Sequence, residues 1–141
     1  MCKIKNSSEQ LQNDFIIKHN KDVMKIEMNL YIARKTRMLS KLQRYFNSTP
    51  LRNAFARWMA YAFMDNKFYT ISKLAKEMHT NRQSISKIVS ECESENYIIV
   101  KRQGRTVACR ASSLLMEKIY DYCDWRHKLT KDIIGKSYYD L

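Results

Sequence analysis

Between Ile71 and Cys92 the chain lays down one apolar spacing twice, on either side of a short polar break. Ile71, Leu74, Ala75 and Met78 form the first set, and Ile85, Ile88, Val89 and Cys92 the second. Each set steps by three, one and three residues, which places its members on one face of a helix. Two short amphipathic helices joined by a tight turn are either ordinary core or a means of carrying one helix to a polyanion.

Charge bears on that choice. The 141 residues hold 26 Lys and Arg against 14 Asp and Glu, a formal net charge of +12. Such an excess points first to nucleic acid and second to an anionic membrane surface. The longest apolar run, Trp58 to Met64, falls far short of the ~20 residues a bilayer span needs, so neither a span nor a secretory signal is expected. Cys2, Cys92, Cys109 and Cys123 are far apart with no CxxC pair. They suggest neither a zinc ribbon nor a disulfide scaffold, and reduced cytoplasmic thiols fit best.

Two glycines and one proline in the whole chain leave little for tight turns or phosphate loops, so helix should dominate. The chain is expected to be one domain over 1–141, with helical regions at 8–48 and 112–134 around a segment at 50–110. From Ser8 to Phe46, Met24, Met28, Tyr31, Met38, Leu42 and Tyr45 follow a three-four spacing. This predicts one long helix, with a break near Asn20 the alternative. Met24, Met28 and Tyr31 on it read as core or as the seam of a dimer.

Pro50 is placed for a first helical turn, and Ala54, Phe55, Trp58, Met59, Ala62 and Phe63 then give a broad apolar face, that of a central core helix. Residues 97–110, YIIVKRQGRTVACR, are rich in strand formers and should fold back about Gln103 and Gly104. That turn sets Val100 opposite Val107 and Ile98 opposite Cys109. From Ser112, whose hydroxyl suits an N-cap, a last helix carries Leu115, Ile119, Tyr122, Leu129 and Ile133 to an end near Gly135.

In a helix-turn-helix the first helix braces the second, whose N-terminal residues meet base edges in the major groove. Asn81 is a good N-cap, and an inward Ile85, Ile88, Val89 and Cys92 leave Arg82, Gln83, Ser86, Lys87 and Ser90 outward. Arg for guanine, Gln for adenine, Ser for either and Lys for guanine or phosphate are side chains of the major-groove code. Glu91, Glu93 and Glu95 sit toward the far end, so only the N-terminal half should touch DNA. The hairpin that follows carries Lys101, Arg102, Arg105 and Arg110 and no acid, suited to phosphates or the minor groove. A helix-turn-helix followed by a cationic hairpin is a winged helix, and the candidate DNA-binding residues are Thr80, Asn81, Arg82, Gln83, Ser84, Ser86, Lys87, Lys101, Arg102 and Arg105.

The stretch ISKLAKEMHTNRQSISKIVSECESENYIIVKR resembles the MarR-type winged-helix transcription regulators. The likeness rests on Leu74-Ala75, the turn before Asn81 and Arg82, the Ile85, Ile88, Val89 stripe, and Asn96-Tyr97-Ile98, where such families usually have glycine at the helix end. Asn can stand in because it tolerates the left-handed conformation. The resemblance implies a mostly α fold with a small hairpin wing, its winged helix-turn-helix flanked by long dimerisation helices. It further implies a homodimer on double-stranded DNA, acting as a transcription regulator that represses by occluding a promoter. The hairpin here is shorter than is usual and has no acid ahead of Arg105, and the N-terminal region is unusually long and basic.

Other readings stand beside this one. Lys21, Lys25, Arg34, Lys35, Arg37, Lys41 and Arg44 are a solvated face or a second contact to the backbone of a nucleic acid. A sequence-tolerant module for replication, packaging or DNA coating is the alternative function, and a protein-binding adaptor a third. Cys123 and His127 are at most half a metal site, and His19, His79 and His127 stand without catalytic partners. Neither an enzyme, nor a cofactor, nor a metal is expected, and no small-molecule effector is indicated.

Overall fold

A computed structural model describes residues 2–37 and 39–135. They form two compact units, one from the described residues between 37 and 122 and one from residues 2–36 with 123–135.

In the larger unit the order is α2 (Lys41–Phe46), α3 (Pro50–Met64), β1 (Tyr69–Thr70), α4 (Ile71–Glu77), α5 (Arg82–Ser94), β2 (Ile98–Gln103) and β3 (Thr106–Ala111), and then the first part of α6 (Ser113–Thr130). Thr49 caps α3, accepting the Arg52 N–H, with Pro50 in the first turn as expected. The expected apolar face of α3 is its core face, with Phe55, Met59 and Ala62 fully enclosed and Trp58 and Phe63 half-buried. Leu74, Ile85, Cys92, Cys109, Leu115 and Met116 complete the centre of one core. Both repeats of the apolar spacing thus point at the same interior.

The strands form an antiparallel sheet in the order β1-β3-β2. β1 is a two-residue strand that the sequence reading did not anticipate; it pairs Tyr69 with Cys109 and Thr70 with Ala108. The hairpin register also differs from expectation. Val100 faces Cys109, Ile98 faces Ala111 and Arg102 faces Val107, with the turn at Gly104 and Arg105. A turn on Gln103 and Gly104 of the common two-residue type would need positive φ at both. Moving it on by one residue places Gly104, at φ +60, first in the turn and asks nothing unusual of Arg105. The slip shifts each pairing by two residues, so every side chain keeps its face.

Three helices of this unit end on a residue in the left-handed region, and none of the three is glycine. They are Asn66 (φ 52) after α3, His79 (φ 52) after α4 and Asn96 (φ 60) after α5. Each closes its helix by the same pair of bonds. After α5 the Tyr97 N–H donates to Cys92 O at 2.9 Å and the Asn96 N–H to Glu93 O at 3.1 Å, the doubly bonded C-terminal motif that glycine usually completes.

The smaller unit contains α1 (Cys2–Thr36), the end of α6 and a π-helical turn, Lys131–Gly135. The single helix expected from Ser8 to Phe46 is therefore two. It runs unbroken through Asn20 and stops at Thr36, and α2 restarts at Lys41. The cause is a capping box: Ser40 Oγ accepts the Gln43 N–H at 3.1 Å while Gln43 Oε1 accepts the Ser40 N–H at 3.2 Å. Met38, placed by spacing in the first helix, lies outside the described residues. Among the described side chains of α1, Asp22, Ile26 and Leu30, four residues apart, are buried, whereas Met24, Met28 and Tyr31 are each more than half exposed. Within one chain, then, those three are not core. Ser112 caps α6 as expected, its hydroxyl accepting the Leu115 N–H at 3.4 Å.

Candidate nucleic-acid interface

The turn from α4 to α5 is built by its own backbone. The Thr80 N–H donates to Ala75 O at 2.9 Å, His79 takes the left-handed step, and Asn81 opens α5 by accepting the Ser84 N–H at 2.8 Å. With Ile85, Ile88, Val89 and Cys92 buried, Arg82, Gln83, Ser86, Lys87 and Ser90 are all exposed on the opposite side of α5. Thr80 and Ser84 are half-buried at the helix entrance, so of the ten candidate residues these two and Asn81 serve the turn before anything else.

The sequence groups Glu91, Glu93 and Glu95 at the far end of α5, where phosphate would be repelled. In the fold each has a cation of its own from a different element. Glu91 pairs with Arg52 of α3 at 3.1 Å, Glu93 with Arg102 of β2 at 2.9 Å, and Glu95 with Lys41 of α2 at 2.8 Å. The Glu95 hydrogen bond raises the Lys41 pKa above its ordinary value, and Glu93 does the same for Arg102.

The hairpin cations are divided in the same way. The Lys101 ammonium lies 5.4 Å from the centre of the Phe68 ring. Arg110 stacks on that ring at 4.4 Å and donates to Asn66 Oδ1 at 3.1 Å. Arg102 is held by Glu93. Arg105, exposed in the turn, is the hairpin cation without such a partner among the described residues.

Lys76 is a residue the sequence reading missed. It is exposed in the last turn of α4 and has no acidic partner among the described residues. Its signal was available, since it falls off the Leu74, Ala75 and Met78 stripe just ahead of the turn. Lys76, Arg82, Lys87 and Arg105 thus leave their charge at the end of α4, in the first half of α5 and at the wing tip, where phosphate would have least competition from protein carboxylates.

Of the remaining chemistry, Cys123 is exposed, as is His127. No group of three or more His, Cys, Asp or Glu among the described residues could hold a metal ion. No described helix is long and apolar enough to cross a membrane.

No protein-family model and no curated protein matches the chain. Among solved structures it is similar to the heme sensor protein PefR, determined with heme and carbon monoxide. The two are 14% identical with a TM-score of 0.50, over 79% of this chain and 78% of that one. It is also similar to an ArsR family transcriptional regulator, at 21% identity and TM-score 0.41 over 58% of this chain and 79% of the other. The transcriptional regulator BldR from Sulfolobus solfataricus gives 9% identity and TM-score 0.43, over 86% and 85%. Helix-turn-helix, three-stranded sheet and hairpin together make this a winged-helix fold, mostly α with a small wing, and the PefR likeness agrees with it.

Proposed function

We propose that this chain is a double-stranded DNA-binding transcription regulator that binds as a homodimer and represses by covering a promoter. Arg82, Gln83, Ser86 and Lys87 enter the major groove. Arg105 reaches the minor groove or its phosphates, and Lys76 meets the backbone beside the turn. Residues 8–48 and 112–134 supply the dimerisation region and 50–110 the DNA grip. The reading is of a binding protein rather than an enzyme.

The observation that carries it is the sorting of charge around α5. Glu91, Glu93 and the C-cap Glu95 are tied to cations of the protein itself, while the cations of the leading half of α5 are left open. A helix that merely completed a core would have no reason to keep its two halves so different. Repression and dimerisation rest on the resemblance to MarR-type regulators, and for the dimer there is also the uncovered apolar strip of α1.

The test is selection of bound duplexes from a random library, followed by affinities of the winner and a scrambled duplex across a salt series. A palindromic motif bound about a thousandfold tighter than the control is the expected result. Equal affinities that fall together with salt would make the chain a sequence-tolerant coating or packaging module instead.

A further inference from the structure

Arg102 was grouped with the DNA contacts because it sits in a cationic hairpin, but the strand places it differently. Along β2, Ile98, Val100 and Arg102 alternate with Ile99, Lys101 and Gln103, so Arg102 belongs to the inner face of the sheet, next to α5. There its guanidinium closes on Glu93 with two nitrogens. Nη2 donates to Oε1 at 3.0 Å, and Nη1 lies 2.9 Å from Oε2. Glu93 Oε2 is sealed from solvent and makes no hydrogen bond, so its contact with Nη1 is ionic only. The Arg102 side chain is 60% exposed and that of Glu93 38%, so a hydrated guanidinium is held to Glu93 by one hydrogen bond and by one contact to an oxygen that water does not reach.

We propose that Arg102 is a positioning residue rather than a DNA contact. Through Glu93 it locks the wing to the recognition helix, so that Arg105 at the wing tip and Arg82 and Lys87 on α5 meet one duplex at the same time. This rests on the DNA-binding reading above. Wing and helix are joined by the short link 95–97 and by the sheet, and a two-stranded ribbon that projects beyond its core twists easily. Contact through both terminal nitrogens at residue 102, close to the turn, fixes its angle where the core no longer does. A positioned wing adds to discrimination between duplexes, because a misplaced Arg105 costs most where the rest of the fit is good.

The experiment uses the full chain with E93Q, R102Q, R102K and the E93Q/R102Q double variant. Binding to the selected and the scrambled duplex is measured across salt, and hydrogen exchange of the wing amides is measured without DNA. The expected result is that each single variant loses about fivefold on the selected duplex, the scale of a well-made ion pair, with little change on the scrambled one. The double variant loses no more than either single, and R102K, which keeps the charge but not the fork, behaves like R102Q. Wing amides exchange faster in all four.

An E93Q that binds as well as the parent, with an R102Q that loses equally on both duplexes and an R102K that restores binding, would make Arg102 a phosphate contact and overturn the proposal. Should the parent show no preference among duplexes, the DNA reading fails, and hydrogen exchange judges the lock separately: unchanged wing protection in E93Q and R102Q would remove it.

Discussion

The Asn81 side-chain oxygen accepts the Ser84 backbone N–H at 2.8 Å, so the residue that precedes α5 is committed to starting it. Asn81→Ala should then cost about 1 kcal/mol of folding stability, the usual value of a lost N-cap. Asn81→Ser and Asn81→Asp, which retain an acceptor at the same reach, should cost a few tenths at most. Urea unfolding of the three variants checks this. An alanine variant as stable as the parent would show that the cap contributes nothing and would return Asn81 to the pool of base contacts.

The left-handed residues at the helix ends make a graded series. His79→Gly should stabilise by about 1 kcal/mol, since a β-carbon in that conformation costs ~1–2 kcal/mol and part of the gain is lost to the freer unfolded chain. Asn96→Gly should gain roughly half as much, because Asn tolerates the conformation. Asn66→Gly should gain little or nothing, because the same change removes the acceptor of the Arg110 guanidinium. Thermal unfolding of the three separates backbone strain from side-chain bonding.

What could be read from the sequence follows the same logic of local signals. The two apolar repeats, Pro50, Asn81, Ser112 and the left-handed Asn96 were legible because each acts within about one helical turn of itself. The restart at Lys41 was equally local, written in the Ser40 and Gln43 capping box, but the three-four spacing ran across it and hid it. The hairpin register was missed by one turn position because the place of Gly104 within the turn decides it, whereas the faces survived because the slip was even. The partners of Glu91, Glu93 and Glu95 come from three distant elements, and nothing near those acids names Arg52, Arg102 or Lys41. The inward side of Arg102 was present in the alternation of β2, and the positive charge of the hairpin drew attention away from it.

Burial pushes the thiols of Cys92 and Cys109 up to about 12 from an ordinary 9.0. A raised pKa in the folded state means the protonated thiol is favoured by folding. That contribution is complete below pH 9 and is lost as pH climbs toward 12, because the unfolded chain ionises first. Stability should fall by up to about 1.4 kcal/mol per pH unit for each thiol above pH 9. Burial also raises the Tyr69 and Tyr97 hydroxyls, steepening the fall from near pH 10. Unfolding midpoints at pH 8, 9 and 10 give the slope, and Cys92→Ala, although less stable throughout, should show a shallower one. At pH 8 the folded protein should take up a maleimide at the exposed Cys123 and at neither buried thiol.

On DNA the exposed cations should divide by role. Arg82→Ala should lose about 1 to 3 kcal/mol on the selected duplex and relax one base position, as removal of a groove-reading Arg does. Lys76→Gln should weaken all duplexes alike and reduce the salt slope by about one, the mark of a phosphate contact. Arg105→Ala should weaken binding most on the selected duplex, without relaxing any one base position as Arg82→Ala does. A Lys76→Gln protein that binds like the parent would take α4 out of the interface.

Ile17, Met24, Met28 and Tyr31 follow one another along α1 at steps of seven, four and three residues, and each is more than half exposed. They form a strip on the side away from the buried Asp22, Ile26 and Leu30. Four large apolar side chains in the seam positions of a heptad are what a second helix covers. If the two copies of the proposed dimer meet there, Met24→Lys with Met28→Lys places two cations of each copy in the seam and should yield a monomer by sedimentation equilibrium. Its winged-helix core should unfold at the parent's urea concentration, because neither residue belongs to that core. Binding to a palindromic duplex should fall toward that of a half-site. A double variant that sediments at the parent's mass would move the seam elsewhere, and a parent that is itself a monomer at micromolar concentration would remove the dimer from the proposed function.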